Sequence, residues 1–253
     1  MGTGDVKLLS LFCCSIVTNL PSLSVATFHF VDDYERHVDQ LMRKHPLAEA
    51  MSLAVGGSYD HFSVILAEVL VQNGLSDGMT LVDLGCGSGR AATGVAKRVQ
   101  IEYLGTDVVE KLLRYARSVC PKHYQFKRHQ QLSIPIADVS TDIVAAFSLF
   151  THLLHEETYL YLQDAFRILK PGGKIVMSFL EFGEPTHWGV FASTAAARRT
   201  NARQPLNTFI ERSVIDIFSS HLGFERIAFV DGHDKCWNGS ALGQSIAVLQ
   251  KPA

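Results

Sequence analysis

The stretch LVDLGCGSGR, residues 81–90, carries the strongest structural signal in the chain. A short apolar run leads directly into three alternate glycines, and a segment with helical character follows. Glycines let a backbone turn tightly and approach a ligand where a Cβ atom would intrude. The N–H groups at the start of a helix favour a polar or anionic ligand group. This strand–turn–helix pattern predicts a ligand-binding turn at the carboxyl edge of a doubly wound sheet.

Strand-like and helix-like segments alternate on both sides of this loop. Helices are predicted over residues 31–55, with a break at Pro46, and over 59–73, 88–99, 109–120, 156–170 and 213–221. Strands are predicted over residues 80–85, 101–107, 123–129, 142–150, 173–182, 224–231 and 244–250. Alternation at this spacing predicts an α/β fold, in which a parallel sheet carries helices on both faces.

The composition excludes several classes of protein. Apolar residues make up 47% of the 253 residues, which is enough for a buried core and excludes disorder as the main state. The formal net charge is −2 and no block of like charge stands out, so neither a nucleic acid nor an anionic membrane is an expected partner. The five cysteines are odd in number and lack C-x-x-C spacing, so neither a disulfide framework nor a metal site is predicted.

Residues 8–17, LLSLFCCSIV, form an apolar run near the amino terminus. The run is too short to span a bilayer, which takes about 20 residues. A single lysine, Lys7, beside Asp5 makes a poor charged region for a signal peptide, although SVA at residues 24–26 resembles a cleavage site. We therefore expect a helix or a strand that is docked on the domain.

The spacing of the glycines distinguishes two kinds of nucleotide site. The dinucleotide fingerprint G-x-G-x-x-G fails, because its third glycine, counted from Gly85, would fall on Arg90. The pattern is instead G-x-G-x-G, with Asp83 two residues before it. Asp107 ends the next predicted strand, where a carboxylate can accept two hydrogen bonds from a ribose diol or can cap the following helix. Both roles can hold together.

With these pieces the chain resembles the class I S-adenosylmethionine-dependent methyltransferases, in particular the type 11 bacterial group, from about Gly56 to Gly173. The matching pieces are LVDLGCGSGR (81–90), YLGTD (103–107), IPIADVSTDIV (134–144), FSLFTHLLHEE (147–157) and ILKPGGKIV (168–176). The resemblance implies a Rossmann-like methyltransferase fold, which is a doubly wound, mostly parallel seven-stranded sheet whose last strand, 244–250, is antiparallel. It also implies a methyltransferase domain over 56–253, a helical extension over 1–55, and S-adenosylmethionine as the cofactor.

The resemblance implies a set of cofactor-binding residues as well. The glycines would let the backbone pass under the methionyl part of the cofactor, and Asp83 would orient the loop or the amino group. Asp107 would hold the ribose hydroxyls, with Val108 against the adenine. The full set is Tyr59, Asp83, Gly85, Cys86, Gly87, Ser88, Gly89, Arg90, Asp107, Val108, Gln130, Gln131 and Phe147.

One position departs from the family pattern. Family members commonly carry an acid before the I-P segment, where it contacts the adenine amino group. Here that place falls near Gln130 or Gln131, with His129 adjacent. A glutamine carbonyl can still accept a hydrogen bond from an exocyclic amine. Tyr59 lies where family members often cover the cofactor from the amino-terminal helix.

Methyl transfer requires mainly alignment from the protein, because the methyl group is already activated on a sulfonium. A hydroxyl acceptor also needs a base that removes its proton. His152, after the fourth predicted strand, is the candidate catalytic residue because histidine titrates near working pH; a packing or capping role is the alternative. The candidate acceptor-binding residues follow the fourth and fifth strands: His155, Glu181, His187 and Trp188.

We therefore expect a cytoplasmic S-adenosylmethionine-dependent methyltransferase that acts on a small-molecule or saccharide acceptor, with a hydroxyl as the first choice of nucleophile. Methylation of nitrogen or carbon in a secondary metabolite remains open, and so does a non-catalytic module that only binds the cofactor. A nicotinamide oxidoreductase would need the fingerprint that the loop lacks.

Overall fold

The computed structural model describes residues 31–200 and 206–253. The predictions for residues 1–30, including the apolar run 8–17, lie outside the described residues. No helix in the described part of the chain has the length and apolar character that crossing a bilayer requires.

A seven-stranded sheet forms the centre of the fold. Its strands are β1 (Thr80–Leu84), β2 (Glu102–Asp107), β3 (Gln125–Arg128), β4 (Thr141–Ala146), β5 (Leu169–Phe179), β6 (Glu225–Val230) and β7 (Ser245–Gln250). Their spatial order is β3-β2-β1-β4-β5-β7-β6. The first five strands pair in parallel, and β7 runs antiparallel to both β5 and β6. The predicted doubly wound, mostly parallel α/β fold with an antiparallel last strand is confirmed.

Helices flank the sheet. They are α1 (Val31–Lys44), α2 (Leu47–Leu53), α3 (Tyr59–Gln72), α4 (Arg90–Val95), α5 (Glu110–Val119), α6 (His155–Ile168), α7 (Trp188–Arg199) and α8 (Arg212–Leu222).

The helices differ from the predictions at several boundaries, most at α4, which spans only Arg90–Val95 of the predicted 88–99. The segment 31–55 forms two helices on either side of the predicted break, because Pro46 is extended and cannot continue a helix. Helix α6 ends at Ile168, before the predicted residue 170, because Leu169 already pairs with Thr141 on β4. Helix α7 was not predicted, since only Ala197 of its residues is buried and the helix has no apolar stripe.

Side chains of the buried strands alternate between the two faces of the sheet, as the pleat requires. On one face, Leu81 packs with Ile65 of α3. On the other face, Val82 packs with Leu162 of α6 and Ile215 of α8. Full burial of such a side chain contributes about 1.5–3 kcal/mol. The two cores therefore hold the carboxyl ends of the parallel strands in fixed positions along one edge.

Helices α1 and α2 pack beside this edge. Val38 and Met51 are fully buried, and they contact Leu112 of α5. This packing brings Tyr34 of α1, and Val55 after α2, to the glycine loop. The division of the chain into an extension over 1–55 and a domain over 56–253 stays a prediction.

Candidate active site

A cavity of about 410 Å³ opens at the carboxyl ends of β1, β2 and β4. This is the edge where doubly wound sheets bind their ligands. Eight of the predicted cofactor-binding residues line it: Asp83, Gly85, Cys86, Gly87, Arg90, Asp107, Val108 and Phe147. We call this side of the cavity, formed by the glycine loop and the end of β2, the cofactor end.

The glycine loop shapes the wall of the cofactor end. Gly85 and Gly87 have φ angles of +69° and +56°, a region that side-chain-bearing residues rarely adopt. A Cβ atom on Gly87 would lie 2.6 Å from Val55 Cγ1. Glycine is therefore required at this position both for its backbone conformation and for the close approach of Val55.

The N–H groups of the loop are largely used within the protein. The Cys86 N–H donates to Thr106 O at 3.0 Å, and the Gly87 N–H donates to Asp107 Oδ2 at 2.9 Å. These two N–H groups, which precede the start of α4 at Arg90, are therefore not free for a ligand. The loop offers a ligand its shape, and the polar contacts come from neighbouring side chains.

Asp107 accepts a backbone hydrogen bond at the start of α5, as the sequence suggests, and can still accept hydrogen bonds from a ligand. Besides the Gly87 bond, its Oδ1 accepts from the Val109 N–H at 2.8 Å, just before α5. A carboxylate offers about four acceptor sites, so each oxygen retains one. Burial raises the pKa of Asp107, and the backbone hydrogen bonds oppose that shift. The side chain can therefore accept from two hydroxyls of a ribose while it fixes the loop.

Asp83 lies at the wall of the cofactor end with 2% of its surface exposed. Tyr103 donates its hydroxyl proton to Asp83 Oδ2 at 2.6 Å. Burial raises the pKa of Asp83 to about 7; the Tyr103 hydrogen bond opposes the shift and the charge of Asp107 adds to it. The carboxyl group is thus near its titration point at neutral pH, and a bound cation beside it would favour the ionised form.

Arg90 begins α4 and contributes a positive charge to the wall. Its guanidinium carbon lies 5.2 Å from the centroid of the Phe62 ring, and its Nη1 donates to Gly57 O at 3.3 Å. Burial lowers the pKa of Arg90. A guanidinium held in this way can pair with a carboxylate of a ligand.

His152 lies in the 3-10 turn Phe150–His152 that follows β4, and it lines the cavity. Its Nδ1 is 2.6 Å from Leu206 O. A carbonyl only accepts, so Nδ1 carries the proton, and Nε2 of the neutral ring keeps its lone pair. Burial lowers the pKa of His152, and Tyr34 packs against the ring edge at 5.4 Å. The candidate base is therefore a neutral imidazole with one unprotonated nitrogen.

The wall beyond His152 is mostly apolar, and we call it the acceptor end. Leu149, Leu180 and Val190 line it. Asn207 adds a polar group whose orientation is fixed, because its Nδ2 donates at 3.0 Å to Thr194 Oγ1, and that hydroxyl donates its own proton to Val190 O. The amide oxygen of Asn207 is left as an acceptor.

Three predicted cofactor residues lie behind the cavity wall. Tyr59 lines a separate groove, and its hydroxyl donates to Ser88 O at 3.0 Å. Ser88 Oγ donates to Met51 O at 3.0 Å. Gly89 faces α5, where a Cβ atom would lie 3.0 Å from Ala116. These three residues hold the loop against the helices. Residues 54–56, which precede Tyr59 in the chain, line the cavity in its place.

Gln130 and Gln131, expected near the adenine, do not line the cavity, whereas the adjacent His129 does. The His129 Nε2 lies 2.9 Å from Ser133 Oγ. The Gln131 carbonyl accepts from the Tyr161 hydroxyl at 3.3 Å. Near the place where family members carry the acid, the cavity wall is therefore formed by His129 and by neither glutamine.

Two of the predicted acceptor-binding residues are structural. Glu181 is 3% exposed and forms a bidentate ion pair with Arg212, with the Nε and Nη2 atoms 2.9 and 2.8 Å from its oxygens. Ser245 also donates to it. His187 is 1% exposed, and its Nδ1 accepts from the Glu181 N–H at 3.0 Å. A buried carboxylate such as Glu181 requires these partners. Neither the Glu181 nor the His187 side chain lines the cavity.

The other two lie on the surface. His155 begins α6, is exposed, and has its Nε2 3.0 Å from Phe209 O. Trp188 begins α7 and is 58% exposed, with its ring 5.1 Å from that of Phe191. Neither residue lines the cavity.

Several wall residues had no local sequence signal. Tyr34, Val55 and Asn207 come from segments far from the motifs in sequence. Gln244 could have been found, because it is the first residue of the predicted last strand, 244–250. An antiparallel strand begins at the edge where its parallel neighbours end, so the antiparallel prediction for 244–250 already places its first residue at the site.

One group of potential metal ligands comes together outside the cavity: Glu184, Asp231 and His233. Protein partners account for its arrangement. Glu184 accepts from Thr186 and pairs with His233 at 2.8 Å, and Asp231 pairs with Arg212. The sequence predicts no metal site, and these contacts give no reason to add one.

Residues 82–177 match the family model of the methyltransferase domain. The match runs from β1 into β5 and includes the glycine loop, Asp107 and His152.

Curated relatives are similar over the same part of the chain. Demethylmenaquinone methyltransferase of Tropheryma whipplei is 26% identical over 161 residues, which cover 59% of this chain and 65% of that protein. Trans-aconitate 2-methyltransferase of Rhodopseudomonas palustris is 30% identical over 157 residues, which cover 54% of this chain and 57% of that protein. Matches to the first curated relatives span 45% to 65% of their length.

Solved structures share the fold. Magnesium protoporphyrin IX methyltransferase of Synechocystis, solved with bound S-adenosylhomocysteine, superposes with a TM-score of 0.61 at 16% identity and covers 87% of this chain and 97% of that chain. The strand order of the sheet, the matched family model and the geometry of the glycine loop all agree with this fold. Residues 82–177 are therefore similar to a methyltransferase domain, and the chain shares the fold of solved S-adenosylmethionine-dependent methyltransferases.

Proposed function

We propose that the protein transfers the methyl group of S-adenosylmethionine to a hydroxyl group of a small-molecule acceptor. The observation that carries this proposal is the state of His152. The Leu206 carbonyl fixes its tautomer and burial keeps the ring neutral, so Nε2 is able to take a proton in the cavity that the glycine loop also lines. A hydroxyl acceptor needs such a base, whereas a neutral amine can attack through its own lone pair.

The cofactor end suits S-adenosylmethionine. Backbone at Gly85 and Gly87 forms part of its wall, so a ligand can approach closely there. Asp107 keeps acceptor sites for two ribose hydroxyls, and Asp83 offers a carboxyl group beside which a cation is stabilised. When bound, the cofactor supplies a methyl group on a sulfonium. The contribution of the protein is then orientation, which can be worth about 7–11 kcal/mol.

The acceptor end supports a small molecule. It is concave, mostly apolar, and has a few fixed polar groups, which is the usual character of a small-ligand site. The relatives named above are methyltransferases of two different acceptors, so they support methyl transfer and do not choose among acceptors. A saccharide acceptor and methylation of nitrogen or carbon are the alternatives within the same reaction.

The test has two parts. Calorimetry measures binding of S-adenosylmethionine to the wild type and to His152→Ala, and we expect the same affinity for both. Transfer of a labelled methyl group is then measured across phenols, aliphatic alcohols, sugars and amines. We expect transfer to hydroxyl compounds by the wild type and a large loss with His152→Ala.

Each other outcome has a definite meaning. Absence of cofactor binding contradicts the proposal as a whole. Cofactor binding without transfer to any acceptor supports a non-catalytic binding module. Transfer that His152→Ala leaves unchanged contradicts the role of His152 as the base.

A further inference from the structure

Gln244 lies at the acceptor end of the cavity, directly before β7. Its Oε1 accepts hydrogen bonds from Ser178 Oγ at 2.6 Å and from Ser148 Oγ at 3.1 Å. Its amide nitrogen, Nε2, has no hydrogen-bond partner in the described parts of the chain. The side chain therefore presents two N–H donors that the protein does not use.

A backbone group fixes the orientation of this amide. The Ser148 N–H donates to Ser178 Oγ at 2.7 Å. Ser178 Oγ is the acceptor in that bond, so its own proton is available to Gln244 Oε1. If the amide were reversed, Nε2 would face this proton, and the fully buried Ser178 hydroxyl would lose its acceptor. The nitrogen therefore faces away from the two serines.

Ser148 is held in an unusual backbone conformation in this network. Its φ angle is +57°, which a residue other than glycine adopts at an energetic cost. Its N–H, hydroxyl and carbonyl all form hydrogen bonds, the last of these with Thr151 Oγ1 at 2.8 Å. Thr151 precedes His152. One network of hydrogen bonds therefore links the amide of Gln244 to the turn that carries the candidate base.

The residues around the Gln244 amide favour a neutral compound that contains a ring. The charged groups of the described wall belong to the cofactor end, whereas the acceptor end is apolar beside Gln244. An aromatic cluster continues this surface outward: Leu180 pairs with Phe209, whose ring stacks on Phe182 at 4.5 Å. Phe182 and Trp188 are 51% and 58% exposed. Such rings pack well against a flat apolar ligand.

We propose that Gln244 is a specificity-determining residue, whose Nε2 donates a hydrogen bond to an oxygen atom of a neutral, ring-containing acceptor. The proposal deepens the function proposed above and rests on it. Ser178 and Ser148 are positioning residues, since their hydroxyls orient the amide. The acceptor thus carries an oxygen for Gln244 in addition to the hydroxyl that His152 deprotonates.

The test compares two probes that differ by one oxygen. Equilibrium dialysis measures the affinities of 1-indanone, which has a ring carbonyl, and of indane, which lacks it. For the wild type we expect 1-indanone to bind about five- to tenfold more tightly, as one neutral hydrogen bond provides. In Gln244→Met, which keeps the length of the side chain and removes the donors, we expect the two affinities to become equal.

Further variants separate the donor from general packing. Gln244→Glu retains oxygens for both serines and loses the amide donors, so at pH 8 it should lose the preference as well. Ser178→Ala should reduce the preference because the amide is no longer oriented. Gln125→Met, on exposed residue 125 of β3, is the matched control and should behave like the wild type. Circular dichroism melts establish that each variant is folded.

The outcomes are distinct from those for methyl transfer. All affinities are measured with and without S-adenosylhomocysteine, so failure of that compound to bind counts against the proposed function alone. The proposal is overturned if the wild type binds neither probe, if it binds both equally, or if Gln244→Met and Gln244→Glu retain the preference for 1-indanone.

Discussion

The cofactor end and the acceptor end of the cavity are built in different ways. At the cofactor end, the glycine loop, Asp83 and Asp107 belong to two consecutive strand–turn–helix units, and backbone hydrogen bonds fix their geometry. At the acceptor end, His152 and Gln244 come from distant segments, and side-chain hydrogen bonds connect them. One end therefore depends on local backbone conformation, and the other depends on tertiary contacts.

The largest expected effect is on the acceptor end. In His152→Ala we expect the turnover number to fall by about 10²- to 10⁴-fold, because the base is lost, while cofactor affinity is unchanged. Single-turnover methyl transfer measures the effect. His155→Ala is the matched control, since His155 is exposed and outside the cavity. Equal losses in the two variants would contradict the role of His152.

The pH profile sharpens the same prediction. Burial lowers the pKa of His152 below its ordinary value of 6.5. The neutral ring, which is the active form of a base, thus predominates above that pKa. We expect the turnover number to rise with pH only below about 6.5 and then to level off. A profile whose acid limb is centred well above pH 7 would be inconsistent with this base.

The backbone dependence of the cofactor end is tested with Gly87→Ala. The φ of +56° and the 2.6 Å approach of Val55 lead us to expect a stability loss of about 1–3 kcal/mol together with weaker cofactor binding. Thermal melts and calorimetry measure both quantities. Gly189→Ala is the control, because Gly189 lies in exposed helix α7 with open space around it, and it should be neutral or slightly stabilising. If Gly87→Ala leaves cofactor affinity unchanged, the glycine loop does not form part of the cofactor-binding site.

Asp107→Ala tests the one side chain that joins the loop to the ribose site. We expect cofactor affinity to fall by about 1–3 kcal/mol, because hydrogen bonds to the ribose are lost and the Gly87 N–H loses its partner. Calorimetry with S-adenosylhomocysteine gives the value. Asp60→Ala, in the first turn of α3 away from the cavity, should bind like the wild type. If the two variants bind alike, Asp107 does not contact the cofactor.

The smallest expected effect concerns the charge of Asp83. With its pKa raised to about 7, the carboxyl group is mostly neutral at pH 6 and mostly ionised at pH 8. The cationic S-adenosylmethionine should therefore gain affinity relative to neutral S-adenosylhomocysteine as pH rises, by on the order of 1 kcal/mol. Asp83→Asn should remove this pH dependence. If the relative affinity of the wild type for the two compounds does not change with pH, Asp83 does not interact with the charge of the cofactor.

The fold, and the position of eight predicted residues on the wall of the cofactor end, follow from the sequence for a physical reason. Strand and helix periodicity are local properties, and the G-x-G-x-G turn with Asp107 lies within two adjacent units, so short-range patterns contain the needed information. The paired N–H groups of the loop were missed because their acceptors, Thr106 and Asp107, lie on the neighbouring strand.

The acceptor end shows where such patterns stop being sufficient. Glu181 follows β5 as an acceptor-binding residue should, yet its charge is neutralised by Arg212, 31 residues later in the chain. The same limit applies at the cofactor end, where Tyr59 points to the far side of the loop because α2 and α3 pack there. Only the three-dimensional packing of separate segments decides which side chains at the strand ends face the cavity.

A crystal structure of the protein soaked with S-adenosylhomocysteine tests the central claim most directly. We predict density for the nucleoside along the glycine loop, with ribose hydroxyls within hydrogen-bond distance of Asp107 and the sulfur directed towards the acceptor end that His152 and Gln244 line. Density for the nucleoside at another place, or a cavity that holds none at saturating concentration, would contradict it.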